Sequence, residues 1–209
     1  MTNQRSILGW TTLGLLSISV ACGSDDSPGS DSHSSSDSSD DASIKADLGD
    51  DQTPPQGADN VEAWLEQGAY KNWRCEPEVH PSRAPSPHGF NRICSNDLLS
   101  ADAAGRGEWA KGSAGVKELY ASLDDQEPIG YAVYLKTADD SAGGANWYWY
   151  ERLPANSEQV NGAPRVVADG LGTAGAAKDI CVSCHLAAGI DADHTPTPGG
   201  RDQVYTPVP

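Results

Sequence analysis

Residues 115–153 read GVKELYASLDDQEPIGYAVYLKTADDSAGGANWYWYERL. Three runs in this stretch are rich in β-branched and aromatic residues: Gly115–Ser122, Ile129–Thr137 and Asn146–Leu153. The spacers between them are acidic or glycine-rich, the composition of turns, so the stretch predicts three strands. In the last run Trp147 and Trp149 share one face, and Tyr148 and Tyr150 share the other, because side chains alternate along a strand. Packing in the core accounts for both tryptophans. Alternation also sends Lys117 and Glu118 to opposite faces, so the two cannot act on one ligand.

Outward from this centre the pattern becomes helical. Val61, Trp64 and Leu65 recur at helical spacing behind a cap at Asp59 or Asn60, which predicts a helix over 60–72. Four prolines make 77–88 irregular, and 96–104 reads as a short helix. Ala174 to Ala188 is alanine-rich and helical in character, and the tail after Asp193 is rich in Pro and Gly. There is no internal repeat. The expected class is α+β: a mainly antiparallel sheet with helices at both ends, spanning residues 60–209 as one domain.

The N-terminal quarter has a different character. Residues 1–21 read as a signal peptide: Arg5 is the charged start, and Ile7–Val20 is an apolar run too short for a comfortable membrane span. Ser19-Val20-Ala21-Cys22 resembles a bacterial lipobox, which makes Cys22 a candidate for lipidation; a plain secreted protein is the alternative. Residues 22–59 then form a linker with ten Ser and ten Asp but no aromatic residue, too polar to offset its own ordering entropy. Of the net charge of −16, this stretch carries −9. No segment is basic enough to neutralise phosphates, which excludes a nucleic-acid partner. The expected location is the cell envelope, on a lipid anchor, facing the periplasm or the exterior.

Cys181-Val182-Ser183-Cys184-His185 is the C-x-x-C-H pattern of covalent haem c attachment. Two thiols reach the two vinyl groups of one haem edge, and the adjacent histidine turns its imidazole beneath the iron. A redox C-x-x-C pair or half a zinc site would lack the trailing histidine's purpose. Haem c is therefore the expected cofactor, with Cys181 and Cys184 as attachment points and His185 as proximal ligand. The only Met is the initiator, so Met cannot take the other iron face after signal cleavage. His80, His88 and His194 remain as candidates there; otherwise the iron stays open to small ligands.

Three segments now read together: His80-Pro81-Ser82 through Pro87-His88-Gly89, Gly115-Val116-Lys117-Glu118-Leu119-Tyr120, and Asn146-Trp147-Tyr148-Trp149 leading to the late C-x-x-C-H. In this order they resemble the cytochrome P-460 family, whose fold is shared with the cytochromes c′-beta, over about residues 60–195. The resemblance implies a mainly antiparallel sheet holding one haem. It also implies that Lys117 stands where hydroxylamine-oxidising members carry a lysine cross-linked to the haem macrocycle. The chain reads Ala114-Gly115-Val116 where the family has Val-x-Val.

Cys75 and Cys94 are left over and, in an oxidising compartment, are expected to pair. His80, His88 and Glu118 are candidates for the distal side or pocket wall, and Trp147 and Trp149 could form a haem-facing wall instead of plain core. The expected function is a haem oxidoreductase acting on hydroxylamine or a related small nitrogen species, with a redox partner protein and, as an open option, a homodimer. The alternatives are a nitric-oxide-binding protein without turnover, and an electron-transfer cytochrome with a His-capped iron.

Overall fold

The computed structural model of the protein describes residues 52–83, 86–105, 107–153, 165–188 and 201–209. The expected signal peptide and lipidated Cys22, the expected linker up to residue 51, and His194 lie outside the described residues. Among those described, no helix is long and apolar enough to cross a membrane.

The described chain opens with α1 (Ala58–Gln67) and a 3-10 turn (Ala69–Asn72), then β1 (Arg74–Cys75) and β2 (His80–Pro81). Next come β3 (Phe90–Ser95), α2 (Asp97–Ala101), β4 (Ala114–Tyr120), β5 (Gly130–Lys136), β6 (Trp147–Arg152) and β7 (Val166–Leu171). A π-helical segment (Ala177–Val182) runs into one turn, α3 (Ser183–His185). Strands β3 to β7 form an antiparallel meander, and β1 and β2 pair with opposite ends of the free edge of β3. The expected α+β class and antiparallel sheet are what the structure shows.

Two cores flank the sheet. Val116, Val133, Leu135, Tyr148 and Tyr150 point to one face and pack against Val61, Trp64 and Leu65 of α1. Tyr134, Trp147, Trp149 and Ala168 point to the other, under Ala177, Cys181, Val182 and the C-terminal Val204. Because both faces are covered, the central strands are buried nearly throughout, which explains their dense aromatic content. Gly115 is dictated by close approach: a Cβ there would lie 2.3 Å from the Tyr134 ring. The lost side chain lets Tyr134 lean across β4 from the neighbouring strand.

Several expectations change. The folded unit begins before residue 60: Gln52 accepts from the Asn96 side chain at 2.8 Å, and Pro54 and Pro55 are buried. α1 starts at Ala58 with neither Asp59 nor Asn60 as cap. Its first amide instead donates to Asp169 Oδ2 of β7 at 2.9 Å, so tertiary contact supplies the cap. Gly68, at φ 70°, ends α1 before residue 72. Strands β3 and β7 were not expected. The short helix at 96–104 is present as α2, and Asn96 caps it by accepting from Leu99 N at 3.1 Å.

Cys75 and Cys94 are disulfide-bonded, directly opposite each other on β1 and β3. The bridge closes the base of the segment carrying His80, Arg83 and His88. Replacing both cysteines by serine should cost about 3 kcal/mol in the chain-entropy view of a loop this long, read as a lower urea midpoint with an unchanged slope.

Candidate functional site

The second face of the sheet holds two adjoining hollows that share Pro87, His88, Lys117, Tyr134, Cys184 and His185. One extends toward His80, Arg83, Ile93 and Tyr205, the other toward Ala132, Trp149, Glu151 and Cys181. With their open mouths they span about 600 and 530 Å³ of empty space.

The C-x-x-C-H residues enter from the helical lid. Neither Cys181 nor Cys184 is in a disulfide, and both line the second hollow. Burial pushes the Cys181 thiol up to about 12, the reverse of what a thiol-disulfide exchange pair requires. Among the described residues, no group of three or more His, Cys, Asp and Glu is arranged to hold a bare metal ion. The π-helical turns carry Cys181 toward the sheet, a local irregularity of the kind that re-aims side chains at functional sites.

His185 packs on Trp149, with ring centroids 4.5 Å apart, and on Tyr205 at 5.3 Å. Its Nδ1 lies 2.6 Å from the backbone carbonyl of Gln203. A carbonyl only accepts, so Nδ1 carries the proton and Nε2 keeps its lone pair. Burial, offset in part by that hydrogen bond, lowers the imidazole pKa to about 3. A neutral ring with a free Nε2 and a tied Nδ1 is the form that binds a metal.

Lys117 rises from β4 into both hollows and makes no hydrogen bond or ion pair among the described residues. Burial lowers its ammonium pKa to about 8, against the smaller opposing fields of Glu76 and Glu151. Its neighbour Glu118 is on the opposite face, as strand alternation requires, and this corrects its candidacy for the pocket. Glu118 is 1% exposed and accepts from Tyr70 at 2.7 Å, Tyr120 at 2.8 Å and Arg92 at 2.7 Å. Burial alone would raise its pKa, but these three donors outweigh it and hold the carboxyl below its ordinary value.

The two histidine candidates differ. His80 faces the Pro81 carbonyl with Nδ1 at 2.7 Å and Glu76 Oε2 with Nε2 at 2.8 Å. Both partners belong to the loop itself, so both ring nitrogens are engaged there. His88 has Nδ1 3.3 Å from Glu151 Oε1 and lines both hollows. Of the tryptophans, Trp149 is pocket wall, with a buried indole N–H lacking a partner among the described residues. Trp147 is core, donating to Ser141 Oγ at 3.1 Å.

Sequence reasoning passed over five contributors. Glu76 gathers the loop by accepting from His80, Arg83 Nη2 and Ile93 N, each at 2.8 Å. Glu151 pairs with His88, Tyr134 lines both hollows, and Gln203 and Tyr205 come from a tail read only as rich in Pro and Gly. For Glu151 and Tyr134 the signal was present in strand alternation, which puts both on the Lys117 face. For the tail there was none.

No match was found among protein-family models, curated proteins or solved structures.

The Lys117 ammonium, partly desolvated in a hollow it lines at intermediate exposure, weakens the fold while it is protonated. Below pH 8 Lys117 is protonated both folded and unfolded, and the penalty is complete. Between about 8 and the ordinary 10.5 the unfolded chain holds the proton and the folded one does not, so stability rises with pH. Lys117→Met in the chain with no added ligand should raise Tm by a few degrees at pH 7. The advantage should shrink as pH climbs through that window, as thermal melts at several pH values would show.

Proposed function

We propose that this chain is an exported haem c protein of the cytochrome P-460 type, an oxidoreductase acting on hydroxylamine or a related small nitrogen species. The observation that carries the reading is convergence on one pocket. Two free thiols, a neutral histidine with its Nε2 lone pair available, and a half-buried lysine unpaired among the described residues all line it. The donor set fits the group: thiols at positions i and i+3 would hold the two attachment points, and the imidazole that follows them would ligate the iron. The orphaned indole N–H of Trp149 and the Tyr134 hydroxyl, which bonds to none of the described residues, are donors with room for an acceptor. When bound, haem c supplies an open coordination position for a nitrogen lone pair and takes up electrons.

The chain's own part is positioning and proton handling. Gln203 keeps the His185 proton on Nδ1 and orients the ring. Trp149, Tyr134, Ala132 and Ile93 make much of the wall apolar and limit water. Glu151 and His88, paired at 3.3 Å, form a site that can accept a proton from a small substrate entering beside them. Lys117, with its pKa lowered to about 8, has an appreciable fraction of free amine and would be the side chain placed to carry the cross-link that the resemblance implies. Electrons would leave to a redox partner protein, and Cys22 would carry the lipid anchor that keeps the domain at the envelope.

A second reading is favoured by the apolar lining: a nitric-oxide-binding protein on the same scaffold, without turnover. The bis-histidine electron-transfer reading has less support, because both ring nitrogens of His80 are committed and only His88 remains.

Expression with signal peptide and a haem-attachment system should give coloured protein. Cys184→Ala should lose one thioether, and His185→Ala should abolish the ligand. Digestion and mass spectrometry should find Lys117 joined through haem to the 181–184 segment in the oxidoreductase reading. A free Lys117 peptide with an ordinary haem c spectrum would move the assignment to gas binding. Unchanged thioether count in Cys184→Ala would overturn both.

A further inference from the structure

The residue that bonds His185 sits in unusual backbone. Arg201 to Val204 form a tight turn in which Val204 N donates to the Arg201 carbonyl at 3.0 Å. Its two middle residues, Asp202 and Gln203, have φ of 48° and 71°. Both carry a Cβ, and the left-handed region is disfavoured for such residues unless the surroundings impose it. Here they do. Asp202 Oδ2 accepts from Lys136 Nζ at 2.9 Å and from Trp109 N at 2.8 Å, with the Lys136 and Asp202 side chains 0% and 6% exposed. The Arg201 guanidinium lies 3.5 Å over the Trp109 ring and bonds Asp102 Oδ2 at 2.7 Å. One residue beyond the turn, the Tyr205 hydroxyl donates to the Cys184 carbonyl at 2.7 Å.

We infer that the Arg201–Val204 turn is a positioning element for His185. Asp202 and Gln203, held left-handed by Lys136 and Trp109, aim the Gln203 carbonyl at Nδ1 and so fix the tautomer and donor strength of Nε2. The inference rests on the haem reading only for the purpose of that Nε2; the turn and its hydrogen bond stand without it. A carbonyl accepting from the distal nitrogen of a ligand imidazole raises its basicity, which favours the more oxidised metal. The Gln203 side chain does not explain the arrangement, since its amide oxygen is buried without a partner among the described residues.

Two substitutions separate the backbone from the side chain. Gln203→Gly removes the side chain and accepts a positive φ; Gln203→Val removes the amide and resists it. In full-length chain made without haem, imidazole nitrogen shifts should show His185 in the single Nδ1–H form in wild type and in Gln203→Gly. Gln203→Val should give a mixture with the Nε2–H form. In haem-loaded protein the reduction potential should rise in Gln203→Val and stay near wild type in Gln203→Gly. If Gln203→Val does not fold, Gln203→Ala, which also carries a Cβ, supplies the contrast. A folded Val or Ala variant that keeps the wild-type tautomer, or a Gly variant that loses it equally, would overturn the inference. A preserved contrast in a wild-type chain that never acquires haem would overturn the haem reading and leave the positioning role standing.

Discussion

A slip of one residue in the pairing of β4 would exchange Lys117 and Glu118 between the faces of the sheet. Each is compatible with only one of them. Glu118 needs the three donors from Tyr70, Tyr120 and Arg92 that wait on the α1 side, and a buried carboxylate without them would be costly. Lys117 needs the side where it has room and no neighbour to neutralise it. The register is set by hydrophobic residues that alternate with this pair, Val116 into one core and Tyr134 of the next strand into the other. Everything about the pocket, including which histidine and which carboxylate reach it, follows from that choice.

The pocket is then built from rigid and fastened parts in different proportions. Lys117, Tyr134, Trp149 and Glu151 stand on central strands, whose ladders leave the backbone little freedom. His80, Arg83 and His88 come from a proline-rich segment that cannot join a sheet for more than two residues. It is held instead by the Cys75–Cys94 bond and by the Glu76 carboxylate, which ties His80, Arg83 and the β3 backbone together. The C-terminal tail closes the third side through a buried ion pair and a cation lying on an indole ring.

Burial gives these groups a consistent electrostatic character. It pushes the Cys181 thiol up and the His185 and Lys117 conjugate acids down, so each buried group tends toward its neutral form. Neutral thiol, neutral imidazole and partly free amine are the forms that a partly desolvated hollow favours. In a chain of net charge −16, the cationic residues Lys117 and Arg83 at this pocket also make it locally distinct from the acidic surface.

Much of this was legible before any coordinates. Alternation in β4, β5 and β6 identified the three central strands, and short acidic or glycine-rich spacers made them antiparallel neighbours. The pairing of Cys75 with Cys94 followed from elimination. Strands β3 and β7 were missed because Phe90–Ser95 and Val166–Leu171 lack a clear alternation; partners on the sheet, not local preference, make them strands. The α1 cap was missed because Asp169 is 111 residues away. The same reason governs the tail. Nothing local in Arg201–Tyr205 suggests order, and Asp202 and Gln203 take up left-handed backbone only because Lys136, Trp109 and His185 stand ready to receive them. Sequence determined that Cys181, Cys184 and His185 stand close together, since motif spacing is local. Tertiary structure alone decided which proton His185 carries, because the hydrogen bond that fixes it joins residues whose closeness only the folded chain creates.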